Sequence, residues 1–245
     1  MIADGSDTGR LDYMVLAAHP DDAEIFCGGS ILRWRELGRK VGVVDCTRGE
    51  AGTSGSAEER IQEAAAATRV LGLDVRENLG LPDGQLQNCR EHQIPIVTMI
   101  RRYRPRVLIA PLGPCRHPDH EAVYHLARAA CFFAGNGKFP VDLPRYRPQR
   151  LFFHLEVSND QHPSFVVDIS NHFEKKMQAI QCYASQFYTP ERGETGTWIG
   201  SRAFLERIRA RAAFYGSHIG VSYGEPYYAP EMLRVDDPVS WMDEE

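Results

Sequence analysis

No apolar run in this 245-residue chain is long enough to cross a bilayer, which takes about 20 residues. The first ten residues are polar and carry no apolar signal core. A cytoplasmic protein with no membrane partner is therefore expected, with residues 1–12 as a flexible N-terminal lead-in and residues 13–245 as a single domain. No basic stripe stands out and the net charge is −5, which argues against nucleic acid as a partner. No C-x-x-C pair occurs among Cys27, Cys46, Cys89, Cys115, Cys131 and Cys182. Thiols scattered like this in a reducing compartment read as core residues, not as a disulfide framework or a cysteine zinc site. Internal repeats, low-complexity tracts and domain linkers are also missing.

What is present is an alternation of short apolar runs and helix-like segments. Residues 13–18 read as a buried parallel strand, 24–37 as a helix stopped by Gly38, and 41–47 as a second strand. Ser56-Ala-Glu-Glu59 spells a capping box that opens a helix with Ile61, Ala64, Ala65, Thr68 and Leu71 on one side, ending at Gly72. Residues 75–79 and 107–110 are the third and fourth strands. Residues 94–103 and 120–133 are helices, the first with Pro95 near its first turn. This order predicts an α/β fold, a mostly parallel sheet with helices on both faces. Further along, 151–157 and 164–169 read as strands around a loop at 158–163, and 173–183 and 203–215 as helices. Residues 189–200 read as a mobile surface loop, and the tail after Gly216 as irregular chain.

In open parallel sheets, ligands bind beyond the C-terminal ends of the strands. Three polar clusters fall there. Ala18-His19-Pro20-Asp21-Asp22-Ala23-Glu24 follows the first strand, Thr47-Arg48-Gly49-Glu50-Ala51-Gly52-Thr53 the second, and Arg116-His117-Pro118-Asp119-His120 the fourth. Polar side chains packed this densely are costly to bury without partners, which predicts a shared site. His19, Asp22 and His120 form a two-imidazole, one-carboxylate set suited to one divalent cation, zinc, per subunit. Three protein ligands leave a position for water, as catalytic zinc sites do. Zinc would lower the pKa of that water to about 7. Asp21 is placed to act as general base. His117 would stabilise the tetrahedral oxyanion as imidazolium, or protonate the leaving amine, with Asp119 orienting it. Taken alone, each cluster has a bland reading: His117-Pro-Asp-His120 also suits a plain helix start, with Pro118 first and Asp119 favoured by the helix dipole. Two such clusters, each just past a strand, favour the site.

The pairing of His19-Pro-Asp-Asp22 and Glu24 with His117-Pro-Asp-His120 resembles the LmbE/PIG-L family of zinc-dependent N-deacetylases. Thr47-Arg-Gly-Glu-Ala-Gly-Thr53, Asn78-Leu-Gly-Leu-Pro-Asp-Gly84, Ser164-Phe-Val-Val-Asp168, Ser185-Gln-Phe187 and Tyr223-Gly-Glu225 look like its bacillithiol-biosynthesis branch. The resemblance implies a Rossmann-like three-layer fold with the metal site at the C-terminal ends of the strands. It implies zinc on His19, Asp22 and His120, the base at Asp21, and His117 as the charged stabiliser with Asp119 behind it. It also implies a homo-oligomer, often a hexamer, that hydrolyses N-acetylglucosaminyl-malate to glucosaminyl-malate and acetate. Malate carries two carboxylates, and Arg48 or Arg116 would bind them, arginine being suited to bidentate carboxylate recognition. Glu50 would accept sugar hydroxyls, and Gly49 and Gly52 would let that loop turn tightly.

Three other readings compete. Deacetylases of mycothiol precursors or chitobiose share this core. A facial triad of non-haem iron can be spelled with His19, Asp21 and a distal histidine, but such enzymes are mostly all-β. A sugar-binding protein without catalysis would have no use for Asp21.

Overall fold

The computed structural model describes residues 9–156 and 161–237. Its elements alternate as the apolar runs dictate: β1 (Tyr13–Ala17), α1 (Asp22–Glu36), β2 (Val41–Thr47), α2 (Ala57–Leu71), β3 (Val75–Leu81), α3 (Arg90–Tyr103), β4 (Val107–Pro111) and α4 (Pro118–Ala134). Then follow β5 (Arg150–His154), β6 (Phe165–Asp168), α5 (Phe173–Gln181), α6 (Arg202–Ser217) and β7 (Gly224–Tyr228). One seven-stranded sheet has the order β3-β2-β1-β4-β5-β7-β6. The first five are parallel, and β7 runs antiparallel to both β5 and β6.

Alternation along the strands divides the core in two. Val15 and Ala17 of β1 face α1, α2, α5 and α6, among Ile31, Ala67, Ile180 and Phe204. Met14 and Leu16 face α3 and α4, among Ile96, Ile100, Val123 and Leu126. Helices on both faces of a mostly parallel sheet make the three-layer α/β fold. β1 pairs with β2 on one side and β4 on the other. The chain leaves β1 in one direction and returns to β4 in the other, so the sheet's switch point lies where these two strands end, and a crevice opens between their loops.

Several expectations need correction. The tail after Gly216 is not irregular, because β7 fills the slot between β5 and β6. Pro226 disguised it, since proline cannot donate to a ladder and marks a strand as an edge. Here β5 pairs with β7 only at Tyr227 and Tyr228, leaving Pro226 to face Val166 of β6. Helix α3 begins four residues before the expected start, so Pro95 lies in its second turn, and no N–H is there to reach the Glu91 carbonyl. The buried stripe of α2 is Arg60, Ala64, Ala67 and Leu71, while Ile61 is 55% exposed. Of the lead-in expected at 1–12, residues 1–8 lie outside the described residues. Leu11 is buried, and its N–H donates to the Tyr103 carbonyl. Val157 and the start of the loop at 158–163 also lie outside. All six cysteines are unpaired, and only Cys27 and Cys46 are buried. No described helix is long and apolar enough to cross a membrane.

Candidate active site

The loop after β1 runs straight into α1. Asp21 caps that helix with φ 116°, a left-handed conformation that costs a non-glycine residue about 1–3 kcal/mol. The turn separates two neighbouring carboxylates. Asp22 turns toward His19 and His120, whereas Asp21 lines the cleft. Beneath them, Glu24 meets Arg76 of β3 at 2.6 Å, and Arg76 also grips Asp45 of β2. This buried cluster pins the head of α1 to the sheet. After β4, His117 caps α4 with Pro118 at the first position, and its Nδ1 accepts the Asp119 N–H at 3.2 Å. The helix-start reading of this cluster therefore holds, and the same turn carries His117 and His120 into the lining of one cleft.

His19 Nδ1, Asp22 Oδ2 and His120 Nε2 form a triangle with sides of 3.4, 3.3 and 3.3 Å. Zinc bonds of about 2.0–2.1 Å at tetrahedral angles would separate ligand atoms by about 3.3–3.4 Å, so the three atoms fit one zinc ion. Each imidazole is also backed on its second nitrogen. His19 Nε2 lies 3.1 Å from Asp83 and 3.2 Å from Asp119, and His120 Nδ1 hydrogen-bonds Glu156. Carboxylates behind the far nitrogens are what fix histidine ligands in orientation.

Other ligand-type atoms also cluster: His19, His117 and His120; Cys115, His120 and Glu156; and His19, Asp83 and Asp119. The second set is joined by direct hydrogen bonds that leave no room for an ion between His120 and Glu156. In the third, Asp119 already accepts the N–H groups of Gly84 and Leu86. In the first, His117 Nδ1 is taken by a backbone N–H.

Electrostatics agree with a cation at the triangle. Burial opposes charge on His19, but Asp119, Asp22 and Asp83 outweigh it and raise its pKa well above the usual value. Burial likewise opposes charge on His120, and Asp22 outweighs it. Protons on these rings answer a surplus of buried acid that a dication would neutralise. Burial and the adjacent Asp22 push the Asp21 carboxyl up to about 8, against the pull of Arg60 and His19.

The cleft, of about 940 Å³, is large for a small-molecule site. Its lining includes the polar His19, Asp21, Asp22, His117 and His120 and the apolar Trp198, Ile199 and Phe204. The segment expected to be a mobile loop supplies Thr197, Trp198 and Ile199, and is tied down where Ser54 Oγ donates to the Thr195 carbonyl at 3.3 Å.

The remaining expected residues divide. Arg116 stands at the rim of the cleft, 5.2 Å over the Trp198 ring, with no ion pair among the described residues. Arg48 and Glu50 do not line it. Strand β2 ends one place away from the switch point, so Arg48 is exposed and lies against Gly80 of β3. Glu50 instead accepts the Arg48 and Asp83 N–H groups and ties two loops together. The Asp119 carboxylate orients His19 and the loop at 84–86, not His117 as expected. His117 itself is held below its usual pKa by burial and then by His120 and His19. With Nδ1 accepting a hydrogen bond, its resting form is the neutral ring carrying hydrogen on Nε2, rather than an imidazolium.

Three residues of the site went unread. Asp83 backs His19, and Glu156 backs His120. Arg60 lies under Gly49, where a Cβ would come within 1.7 Å of its Nη1. Its Nη2 bonds Gln186, and its buried Nε has no hydrogen-bond partner among the described residues. An arginine in the core stripe of α2, just after a capping box, was the available signal for Arg60.

Residues 14–131 match the family model described as PIG-L, GlcNAc-PI de-N-acetylase. The chain is 30% identical over 230 residues to diacetylchitobiose deacetylase of Thermococcus kodakarensis, covering 86% of this chain and 80% of that protein. Among solved structures, the conserved protein TT1542 of Thermus thermophilus is 40% identical with a TM-score of 0.84, covering 92% of this chain and 98% of that one. The N,N'-diacetylchitobiose deacetylase of Pyrococcus horikoshii is 29% identical with a TM-score of 0.76, covering 88% and 82%. Fold, cleft and relatives agree that this chain belongs to the PIG-L family and is an N-deacetylase, a hydrolase of amide bonds.

Proposed function

We propose that this chain is a zinc-dependent deacetylase that hydrolyses the acetamide of an N-acetylglucosaminide. The observation that carries the reading is the triangle of His19, Asp22 and His120, with the separate carboxylate of Asp21 facing the same cleft. When bound, zinc would polarise the acetamide carbonyl and acidify a water. Asp21 takes a proton from the attacking water as its oxygen bonds the carbonyl carbon. His117 presents Nε2–H to the carbonyl oxygen as negative charge develops there. The C–N bond then breaks, and the proton held by Asp21 passes to the leaving amine. Acetate and a free amino sugar are the products. Asp119 and Asp83 hold the His19 ring throughout.

For the aglycone, the reading is malate, as in N-acetylglucosaminyl-malate of bacillithiol biosynthesis. Arg116 supports it, being an unneutralised guanidinium braced on Trp198 at the cleft rim, placed to meet a carboxylate. The second reading is a chitobiose-type substrate, favoured by the Thermococcus and Pyrococcus relatives and by a cleft roomier than one sugar needs. A panel of N-acetylglucosaminides varying the aglycone, followed by amine release, decides between them. The malate conjugate should give the highest kcat/KM. Faster turnover of diacetylchitobiose would replace that reading with the second, and no amine from any member would end the deacetylase proposal. We read the chain as one subunit of a homo-oligomer. Phe132 and Phe214, 59% and 57% exposed, are apolar surface that a neighbouring subunit would cover.

A further inference from the structure

Glu156 lies two residues beyond β5 and lines the cleft, yet it is only 8% exposed. One of its oxygens meets His120 Nδ1. The other accepts a hydrogen bond from Cys115 Sγ at 2.8 Å. Cys115 is itself fixed at the base of α4, where its N–H donates to Glu121 at 2.8 Å. Three segments meet here: the loop after β4, the first turn of α4, and the chain leaving β5.

A neutral imidazole has one donor nitrogen and one acceptor nitrogen, and the partner of one decides the role of the other. A carboxylate at Nδ1 keeps the hydrogen there, which turns the Nε2 lone pair toward Asp22 and His19. A carboxylate gripped at one oxygen only can still swing about its last bond. The Cys115 thiol holds the second oxygen and so opposes that turning. The thiol is a weak donor, but it points at a charged acceptor that is almost wholly out of water, where hydrogen bonds gain strength.

We propose that Glu156 is a positioning residue for His120, and that the Cys115 thiol holds Glu156 in place, so that these two side chains set how tightly the site grips its cation. This rests on the reading of His19, Asp22 and His120 as the ligands, and the experiment separates the two. Cobalt(II) is titrated into the metal-free chain against a competing chelator, and the visible ligand-field bands are recorded. Glu156→Ala should weaken cobalt binding about 10–100-fold and alter the bands. Glu156→Gln should recover part of the loss, because an amide oxygen still accepts from Nδ1–H. Cys115→Ser, which keeps a donor, should bind nearly as the parent does, and Cys115→Ala several-fold more weakly. His120→Ala and Asp22→Ala serve as the reference. If both bind cobalt as tightly as the parent, the ligand set is wrong. If they lose it while Glu156→Ala keeps both affinity and spectrum, the ligand set stands and the positioning role is overturned. Equal affinity in Cys115→Ala and the parent removes the thiol's part. If Glu156→Ala does not fold, the near-isosteric Gln variant and the Cys115 pair carry the test.

Discussion

Asp21 bears a backbone angle that few side chains tolerate, in a buried place where its charge is costly. Both penalties are explicable if the carboxylate serves chemistry rather than stability. Asp21→Asn should therefore lower kcat by about 10²–10⁴-fold while leaving zinc content unchanged and raising the melting temperature. Near-parental kcat would remove Asp21 as the base. Arg116→Ala should raise KM about tenfold or more for a carboxylate-bearing aglycone and little for a neutral one, one charge-assisted hydrogen bond being worth about 1.5–3 kcal/mol. Equal changes in KM would refute carboxylate recognition. His154 is buried on β5, stacked on Phe26 with centroids 4.7 Å apart. Burial drives its pKa down to about 4, against Glu156 and Asp22, which favour its charge, and with His120 and Arg211, which oppose it. The unfolded chain protonates this ring near 6.5, so its neutral burial costs nothing above that pH. As pH falls from 6.5 to 4, folding loses stability on the order of 3 kcal/mol. Urea titrations at several pH values should show His154→Gln losing less over that window than the parent. At this scale the short motifs singled out His19, Asp21, Asp22, His117 and His120, and the fold brings all five to one cleft. The sequence hid Asp83, Glu156 and Arg60, each a lone polar residue whose purpose appears only when distant segments meet. It also placed Arg48 and Glu50 at a cleft that they do not line, since lying after a strand does not say how far that strand is from the switch point.

At the scale of elements, periodicity was readable wherever one rule acted alone. Strands β1 and β4 are continuous apolar runs, and β2 is apolar but for Asp45 and Thr47, because the sheet buries both their faces. The Ser56–Glu59 capping box forms as spelled. The reading failed where two demands compete. Arg60 occupies a core position of α2 because that stripe also borders the cleft, and so Ile61 was drawn into the wrong face. Pro95 sits where α3 has no use for it, with no partner for the Glu91 carbonyl from the helix. Pro95→Ala should restore that bond and stabilise the chain by about 1–2 kcal/mol, less than the full helix-interior penalty of about 3 because the unfolded state also gains freedom. Chemical denaturation measures it, and a loss of stability would mean that the ring's packing outweighs the missing bond. Strand β7 was masked by Pro226, a local signal overruled by tertiary pairing.

Across the whole molecule, binding at the triangle and folding are one equilibrium. His19 and Asp22 come from the loop and helix after β1, and His120 from α4, so only the folded chain brings them together. A cation that binds the folded state alone, at a thousand times its dissociation constant, stabilises it by about 4 kcal/mol. Stripping the metal with a chelator should thus lower the melting temperature by about 10 °C, and added zinc should restore it. An unchanged melting temperature would mean that no cation is held there. Helix α1 is also held by a second distant segment. Glu225 of β7 sends its carboxylate into the middle of the helix, where it accepts the N–H groups of Gly29 and Ser30 and pairs with Lys176. Gly29 and Glu225 are 196 residues apart in the chain. A ribosome making this protein delivers the helix early and its brace late. The brace on the helix that carries Asp22 can therefore form only after the strand that carries Glu225 has been made.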